Sequence, residues 1–366
     1  MSDNKQEYQI LTDAYHLEVH SVERLMGYEI ATFKVISASG NFIFKKFPRE
    51  KKHYAKVEHE NLVLQAQKGK VSCQIPEVCP SHIGELITES ENDIYRLQTF
   101  LKGNFLAEQK PSDKILSDLG HVLAEVDLTL EKSGLPAPPS YAREWDLRHA
   151  LENLPLVDEV SDIPLRRLIS YFLLQFQEVV MPHYYQFPSQ LIHGDANDWN
   201  VLTSERKISG LIDFGDMCYS WRINELAIAL AYSLMGVENI LEAATHMISA
   251  YSKQIRLKEI EIDSLFYLVA VRLCTTLCHA AKSLIDDPEN EYLVISQKPA
   301  QELLKKWIRI NPLKAQKAFR KASGLTQRPL PERGQLNNQR NSLFSQTLSL
   351  SYEEPIPMYK SALQFM

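Results

Sequence analysis

The stretch Leu191-Ile192-His193-Gly194-Asp195-Ala196-Asn197-Asp198-Trp199-Asn200-Val201-Leu202, followed by Leu211-Ile212-Asp213-Phe214-Gly215-Asp216, decides the reading of this chain. It sets an Asp, an Asn five residues later and a second Asp thirteen residues beyond that Asn. Two short apolar runs lie between, Val201-Leu202 and Ser209-Gly210-Leu211-Ile212, at a spacing that fits a two-strand hairpin. Phosphoryl transfer from a nucleotide needs one carboxylate to orient an acceptor hydroxyl and take its proton. It also needs oxygen ligands for the metal ions that neutralise the phosphates. On this reading Asp195 is the base, and Asn200 and Asp213 are Mg2+ ligands.

Neither half of the pattern is specific alone. The ordered pair is: an H-x-D-x-x-x-x-N loop followed by a D-F-G turn is how kinase-like proteins deliver these groups. The bland alternative is that Asp195 and Asn200 turn a loop and Asp213 starts a helix, because Asp and Asn favour such positions for local hydrogen bonding. His193 is read as a packed histidine that orients the loop through backbone bonds, since Asp195 already supplies the base.

Bulk properties leave room for this chemistry and exclude others. A length of 366 residues suggests two units. Apolar content of 45% and charged content of 23% fit an ordinary soluble globular protein. With 40 basic against 46 acidic residues the net charge is −6, so no nucleic-acid or membrane surface is expected. The polar start Met1-Ser2-Asp3-Asn4-Lys5-Gln6-Glu7 has no signal-peptide apolar region, and no apolar run approaches the ~20 residues of a membrane span. Five cysteines without matching histidines read as buried thiols in a reducing cytosol, so the expected location is cytoplasmic.

Working outward, Glu29–Ile36 and Asn41–Phe47 are β-rich and joined by the turn Ser37-Ala38-Ser39-Gly40. Residues 53–68 read as a helix with Val57, Leu62, Leu64 and Ala66 on or near one face, and Glu85–Thr88 and Ile94–Leu101 as another strand pair. After Gly103 the pattern turns helical. Pro111-Ser112-Asp113 starts a helix through Leu116, Leu119, Val122, Leu123, Val126 and Leu130 that Ser133-Gly134 ends. Helices are also expected over 164–181, 223–285 (closed by Pro288), 296–310 and 312–322. The fold class is therefore α+β, a bilobal protein kinase-like fold. Its small antiparallel-sheet N-lobe spans 1–101 and its mainly helical C-lobe 102–322. Residues 323–366 form a linker and tail.

The motif pair resembles the aminoglycoside phosphotransferase and choline kinase-like family, because the loop reads H-G-D where protein kinases have H-R-D. Within that group the resemblance is to hydroxylysine kinases and their bacterial relatives. It is carried by Ile212–Met217, by Asn224-Glu225-Leu226-Ala227-Ile228-Ala229-Leu230-Ala231-Tyr232 and by Trp145-Asp146-Leu147-Arg148-His149-Ala150, and spans roughly residues 10–320. It implies a small-molecule kinase that moves a phosphoryl group from ATP or GTP, with Mg2+, to the hydroxyl of an amino alcohol such as hydroxylysine. The competing expectation is a catalytically weak kinase-like module that binds or scaffolds within a larger fused enzyme. A protein kinase is disfavoured, because no A-P-E segment follows and about ten residues separate Asp213 from the next helix.

Kinase-like folds grip the phosphates with a strand lysine held by a helix glutamate. The family pattern of two apolar residues and Lys matches Ile43-Phe44-Lys45, and period-2 alternation puts Lys45 and Lys46 on opposite faces. Lys45 is expected in the cleft with Glu60 as its partner. Gln98, Thr99 and Phe100 open the hinge whose backbone reads the purine. No G-x-G-x-x-G precedes the lysine, so the loop Ser21–Tyr28 would have to cover the phosphates with a Ser21 hydroxyl or backbone N–H groups. On the acceptor side, Trp199, Tyr219 and Trp221 are candidate walls for a cationic amine. Asp216 is either an extra carboxylate at the site or a helix cap. Asp146 and Arg148 are read as an internal ion pair. The ending Leu348–Ile356 resembles the entry segment of class III pyridoxal-phosphate aminotransferases and phospho-lyases. Two readings stand beside each other there: the front of a fused chain cut just inside the next domain, or an ordinary C-terminal tail.

Overall fold

The computed structural model describes residues 4–25, 30–286 and 296–327. The Pro288 helix stop, Gly27 and nearly all of the 323–366 tail lie outside the described residues. Strands β1 (Val19–Arg24), β2 (Ala31–Ser37), β3 (Gly40–Pro48), β4 (Val78–Cys79), β5 (Thr88–Glu89) and β6 (Asp93–Thr99) form one antiparallel sheet. Its order is β1-β2-β3-β6-β4, with β5 also on β6. The β2–β3 hairpin turns at the expected Ser37–Gly40, where Ser37 pairs with Gly40.

Two helices back this sheet. An N-terminal helix, α1 (Lys5–Tyr15), was not expected. It is mostly polar and buries only a narrow stripe, with Leu11 and Tyr15 packing beside Phe33, Val35, Phe44, Tyr95 and Leu97. Helix α2 (Lys51–Gln67) was expected, but its inward stripe is Val57, Glu60, Asn61, Val63, Leu64 and Gln67, and Leu62 faces solvent. Of its polar residues, Glu60 and Asn61 meet Arg96 at the site described below, while Gln67 bonds the Val126 carbonyl.

The larger lobe begins with β7 (Asn104–Phe105) and α3 (Asp113–Ser133). Ser112 caps α3 by accepting from the Ile115 N–H at 3.3 Å, and Gly134 ends it in the left-handed region. A 3-10 segment, Leu147–Glu159, leads into α4 (Ile163–Gln175), which continues as a π turn over Phe176–Val180. Strand β8 (Ser189–Ile192) then leads to the catalytic loop, and β9 (Val201–Ser204) and β10 (Lys207–Leu211) form the expected hairpin. Strand β11 (Cys218–Trp221) pairs with β8. The helical run expected over 223–285 is three helices, α5 (Ile223–Ser233), α6 (Ile240–Ser252) and α7 (Glu259–Asp286). Helices α8 (Gln297–Trp307) and α9 (Pro312–Ala322) follow, and Trp307 donates its indole N–H to the Phe266 carbonyl of α7 at 3.0 Å.

Helix α7 is long and apolar enough to cross a membrane by length and composition, and 89% of its apolar window is buried inside the protein. It is the core helix of the lobe. Helices α3 and α6 cross closely at Gly120, where an added Cβ would lie 2.3 Å from the Met247 carbonyl oxygen. In an ordinary helix interior Gly→Ala gains up to about 1 kcal/mol. Here the clash with backbone should reverse that sign. Gly120→Ala is expected to destabilise by roughly 1–3 kcal/mol, lowering the thermal midpoint by several degrees in a circular dichroism melt. A raised midpoint would contradict the close crossing.

Candidate active site

The hairpin of β9 and β10 brings the loop after β8 against the turn after β10, and the Ile212 N–H donates to the Asn200 carbonyl at 2.9 Å. Gly194 has φ +77, and a Cβ there would meet the Asp216 carbonyl at 3.0 Å and the Cys218 sulfur at 3.3 Å. Its N–H donates to Glu225 Oε2 at 3.1 Å. Both the left-handed backbone and the lack of space require glycine at this position of the H-G-D loop. His193 is fully buried. Its Nε2 meets the Ile212 carbonyl at 3.1 Å, and its Nδ1 accepts from the Asp195 N–H at 3.3 Å, so a single neutral tautomer satisfies both bonds. Burial pushes its pKa down to about 4.

Asp195 is held on both oxygens. Oδ2 accepts from the side-chain amides of Asn197 and Asn200, both at 2.8 Å, and Oδ1 accepts from Arg272 Nη2 at 2.8 Å. Burial pushes its carboxyl up, to about 7, against the opposing pull of Arg272. Asn200 also donates to the Asp195 carbonyl at 2.9 Å, which turns its amide nitrogen inward and leaves its oxygen as the atom a cation could meet. Asp213 sits in the left-handed region at φ 62 and ψ 70 and makes no side-chain cap bond, although the short 3-10 turn Phe214–Asp216 follows it. Its carboxylate instead accepts from Lys45 Nζ at 2.9 Å, and the lysine holds its pKa down at about 2. A turn-and-cap role does not account for a side chain held this way.

Among the described residues no group of three or more His, Cys, Asp or Glu forms a metal cage. The oxygens of Asn200 and Asp213 alone suit Mg2+, which usually binds through one or two protein oxygens plus substrate phosphates.

On the sheet side, Lys45 and Lys46 do point to opposite faces: Lys46 pairs with Glu7 at 3.1 Å and Asp93 at 3.3 Å. Glu60 is buried beside the turn, but Lys45 is not its direct partner. Glu60 Oε1 accepts from Arg96 Nη2 at 2.6 Å. The cause is sheet register, because Arg96 stands directly opposite Lys45 on β6 and so shares its face. Burial raises the Glu60 pKa, but Arg96 and Lys45 outweigh it and leave the group below its ordinary value. The hinge expectation also changes. Gln98 is buried in the ladder, the Thr99 N–H donates to the Glu77 carbonyl at 2.9 Å, and the Phe100 N–H donates to the Asn41 carbonyl at 3.3 Å. These N–H groups are already used within the sheet and cannot donate to a purine. Ser21 lies inside β1, paired with Ile36, and does not head the phosphate loop.

The fold agrees with the comparisons. The model of the phosphotransferase enzyme family matches residues 22–252. The chain belongs to that family. It is 29% identical to the hydroxylysine kinase of Danio rerio over 319 residues, covering 80% of this chain and 88% of that one. It is 32% identical to the hydroxylysine kinase of Mus musculus over 222 residues, covering 56% and 58%. A microcompartment-associated aminopropanol kinase superposes with a TM-score of 0.63 at 17% identity, covering 88% of this chain and 99% of that one, and shares its bilobal fold. The protein is a phosphotransferase with a protein kinase-like fold.

The acceptor side of this phosphotransferase departs from the sequence reading. Trp221 is 1% exposed and packs against Phe187 and Tyr184, so it is core and no pocket wall. Tyr219 shares its strand face and bonds the Ser189 carbonyl. The opposite face carries Cys218, beside Gly194, and Ser220, so alternation along β11 turns both aromatics away from the loop. Trp199 rests on Phe105, with centroids 5.4 Å apart. Asp216 does not cap α5, whose N-cap position is Arg222. It faces Lys56 at 3.9 Å and adds negative potential at Asp195. Asp146 and Arg148 form the expected internal ion pair at 2.7 Å. The aromatic rings packed against Arg272, beside Asp195, are Trp145 and Tyr232. Arg272, Glu225 and Arg96 were missed. Arg272 is a lone charge inside an apolar run, which was the available signal, while Glu225 lies in the segment that carries the resemblance but has no role assigned there.

His193 generates a pH prediction. Its folded pKa lies below the ordinary 6.5, so between pH 6.5 and about 4 the unfolded chain binds a proton that the folded chain refuses. Stability from this group is therefore complete above pH 6.5 and is lost on acidification, by up to about 3 kcal/mol at pH 4. Urea unfolding from pH 7 to 4.5 should show a steeper acid loss for the native chain than for His193→Gln. Parallel slopes would contradict the buried neutral histidine.

Proposed function

We propose that this chain transfers the γ-phosphoryl group of ATP or GTP to the hydroxyl of a small amino alcohol such as hydroxylysine. The observation that carries the reading is the convergence of Asp195, Asn200, Asp213 and Lys45 where the sheet meets the larger lobe. The acceptor class is supported by the similarity to hydroxylysine kinases.

In this mechanism Asp195 orients the acceptor hydroxyl and takes its proton as the new O–P bond forms and the bond to the nucleotide's leaving oxygen breaks. Bound Mg2+, held by Asn200 and Asp213, would neutralise charge on the phosphates. Lys45 exchanges its contact with Asp213 for the phosphates, near enough to Glu60 for that carboxylate to help keep it charged. Most of the rate then comes from positioning. Burial raises the basicity of Asp195 and Arg272 opposes that rise, while a loose transition state in which the proton leaves late asks little of the base.

Purified protein with Mg2+, ATP or GTP, and a panel of hydroxylysine, homoserine, choline and an aminoglycoside should give a phosphate-ester signal in ³¹P NMR. Asp195→Asn should retain nucleotide binding and lose roughly 10²-fold or more in turnover. A mutant at the native rate would refute the base assignment. Asp213→Ala should weaken Mg2+-nucleotide binding in a calorimetric titration, and unchanged affinity would remove Asp213 from the metal site.

A further inference from the structure

The base is tied to a helix 77 residues further along the chain. Arg272 lies in the middle of α7, is 2% exposed, and reaches Asp195 Oδ1 with Nη2. Its guanidinium sits 4.9 Å from the ring centre of Trp145 and 5.3 Å from that of Tyr232, and Nη1 donates to the Trp145 carbonyl at 3.2 Å. The clamp is itself anchored to α7. The Tyr232 hydroxyl meets Thr276 Oγ1 at 2.9 Å, Thr276 bonds the Arg272 carbonyl, and the Trp145 ring stacks on His279 at 4.4 Å. These contacts hold the guanidinium between Asp195, the Trp145 carbonyl and two aromatic rings.

A carboxylate offers about four lone-pair sites. Two on Oδ2 are filled by Asn197 and Asn200, and one on Oδ1 by Arg272. We infer that Arg272 is a positioning residue for the reaction: it locks Asp195 so that a single lone pair of Oδ1 is left to receive the acceptor hydroxyl. This rests on Asp195 being the base. Arg272 is too buried to bind a free acceptor directly, so its effect passes through Asp195.

A double-mutant cycle tests it. Turnover, acceptor KM, nucleotide affinity and thermal midpoint are measured for the native chain, Arg272→Gln, Asp195→Asn and the double variant. Arg272→Gln should lower kcat by about 10- to 100-fold, the scale of a misplaced reacting group, with nucleotide affinity unchanged. In the Asp195→Asn background the same change should cost no more than about twofold, because residues that act as one unit are non-additive. Arg272→Lys should recover part of kcat, since it restores charge without the flat fork. Trp145→Leu, which loosens the clamp without removing charge, should lower kcat only when Asp195 is present, and it carries the test if Arg272→Gln does not fold. A full multiplicative loss in the Asp195→Asn background, or an unchanged kcat in Arg272→Gln, overturns the inference and leaves the base assignment standing. Asp195→Asn at the native rate overturns the base assignment itself.

Discussion

The ion pair of Lys45 with Asp213, 2.9 Å long and spanning 168 residues of sequence, joins the sheet to the turn of the larger lobe. It is one edge of a four-charge arrangement. Lys45 and Arg96 lie opposite each other on neighbouring strands, and like charges in that position repel. Glu60 from α2 and Asp213 from the turn supply the balancing carboxylates. Losing one partner of the buried Arg96–Glu60 pair would typically cost about 3–5 kcal/mol, whereas the Lys45–Asp213 pair, with Asp213 half exposed, contributes less. Helix α2 packs against the sheet through Val57 beside Phe47 and Ile94, and it also contacts the Phe214–Asp216 turn.

A second frame holds the loop from the other side. Glu225 of α5 grips the Gly194 N–H, Arg272 of α7 grips Asp195, and His193 ties the loop to the Ile212 carbonyl. Burial pushes Glu225 up, to about 7, with the backbone N–H groups of Gly194 and His193 pulling the other way. The loop is thus set by three elements brought together only by the folded helical lobe. Gly194 takes its left-handed backbone without strain because it lacks a Cβ, whereas Asp213 holds φ 62 as a non-glycine residue whose carboxylate is fixed by Lys45.

The loop and turn motif was legible because its chemistry is local: spacing alone placed Asp195, Asn200 and Asp213 at the ends of one hairpin. Alternation separated Lys45 from Lys46, and the 3–4 spacing with Ser112 and Gly134 bounded α3 closely. What escaped depends on register and on distant partners. Arg96 follows from which strand lies beside β3, and Arg272 from how α7 crosses the loop. Trp221 and Tyr219 belong to a four-residue strand, too short for its inward face to be told from the sequence. Thr99 and Phe100 had their N–H groups engaged by Glu77 and Asn41, which no linear pattern reports.

The tie between the loop and α7 also constrains how this scaffold can be altered. The 193–200 loop cannot be grafted alone, because a recipient lacking a cation where Arg272 stands would leave the Asp195 carboxylate unbalanced, and a helix carrying Arg272 without Asp195 would bury an unbalanced guanidinium. Loop, Trp145 segment and central helix form one transferable cassette, and chimeras of related kinases should be cut outside all three.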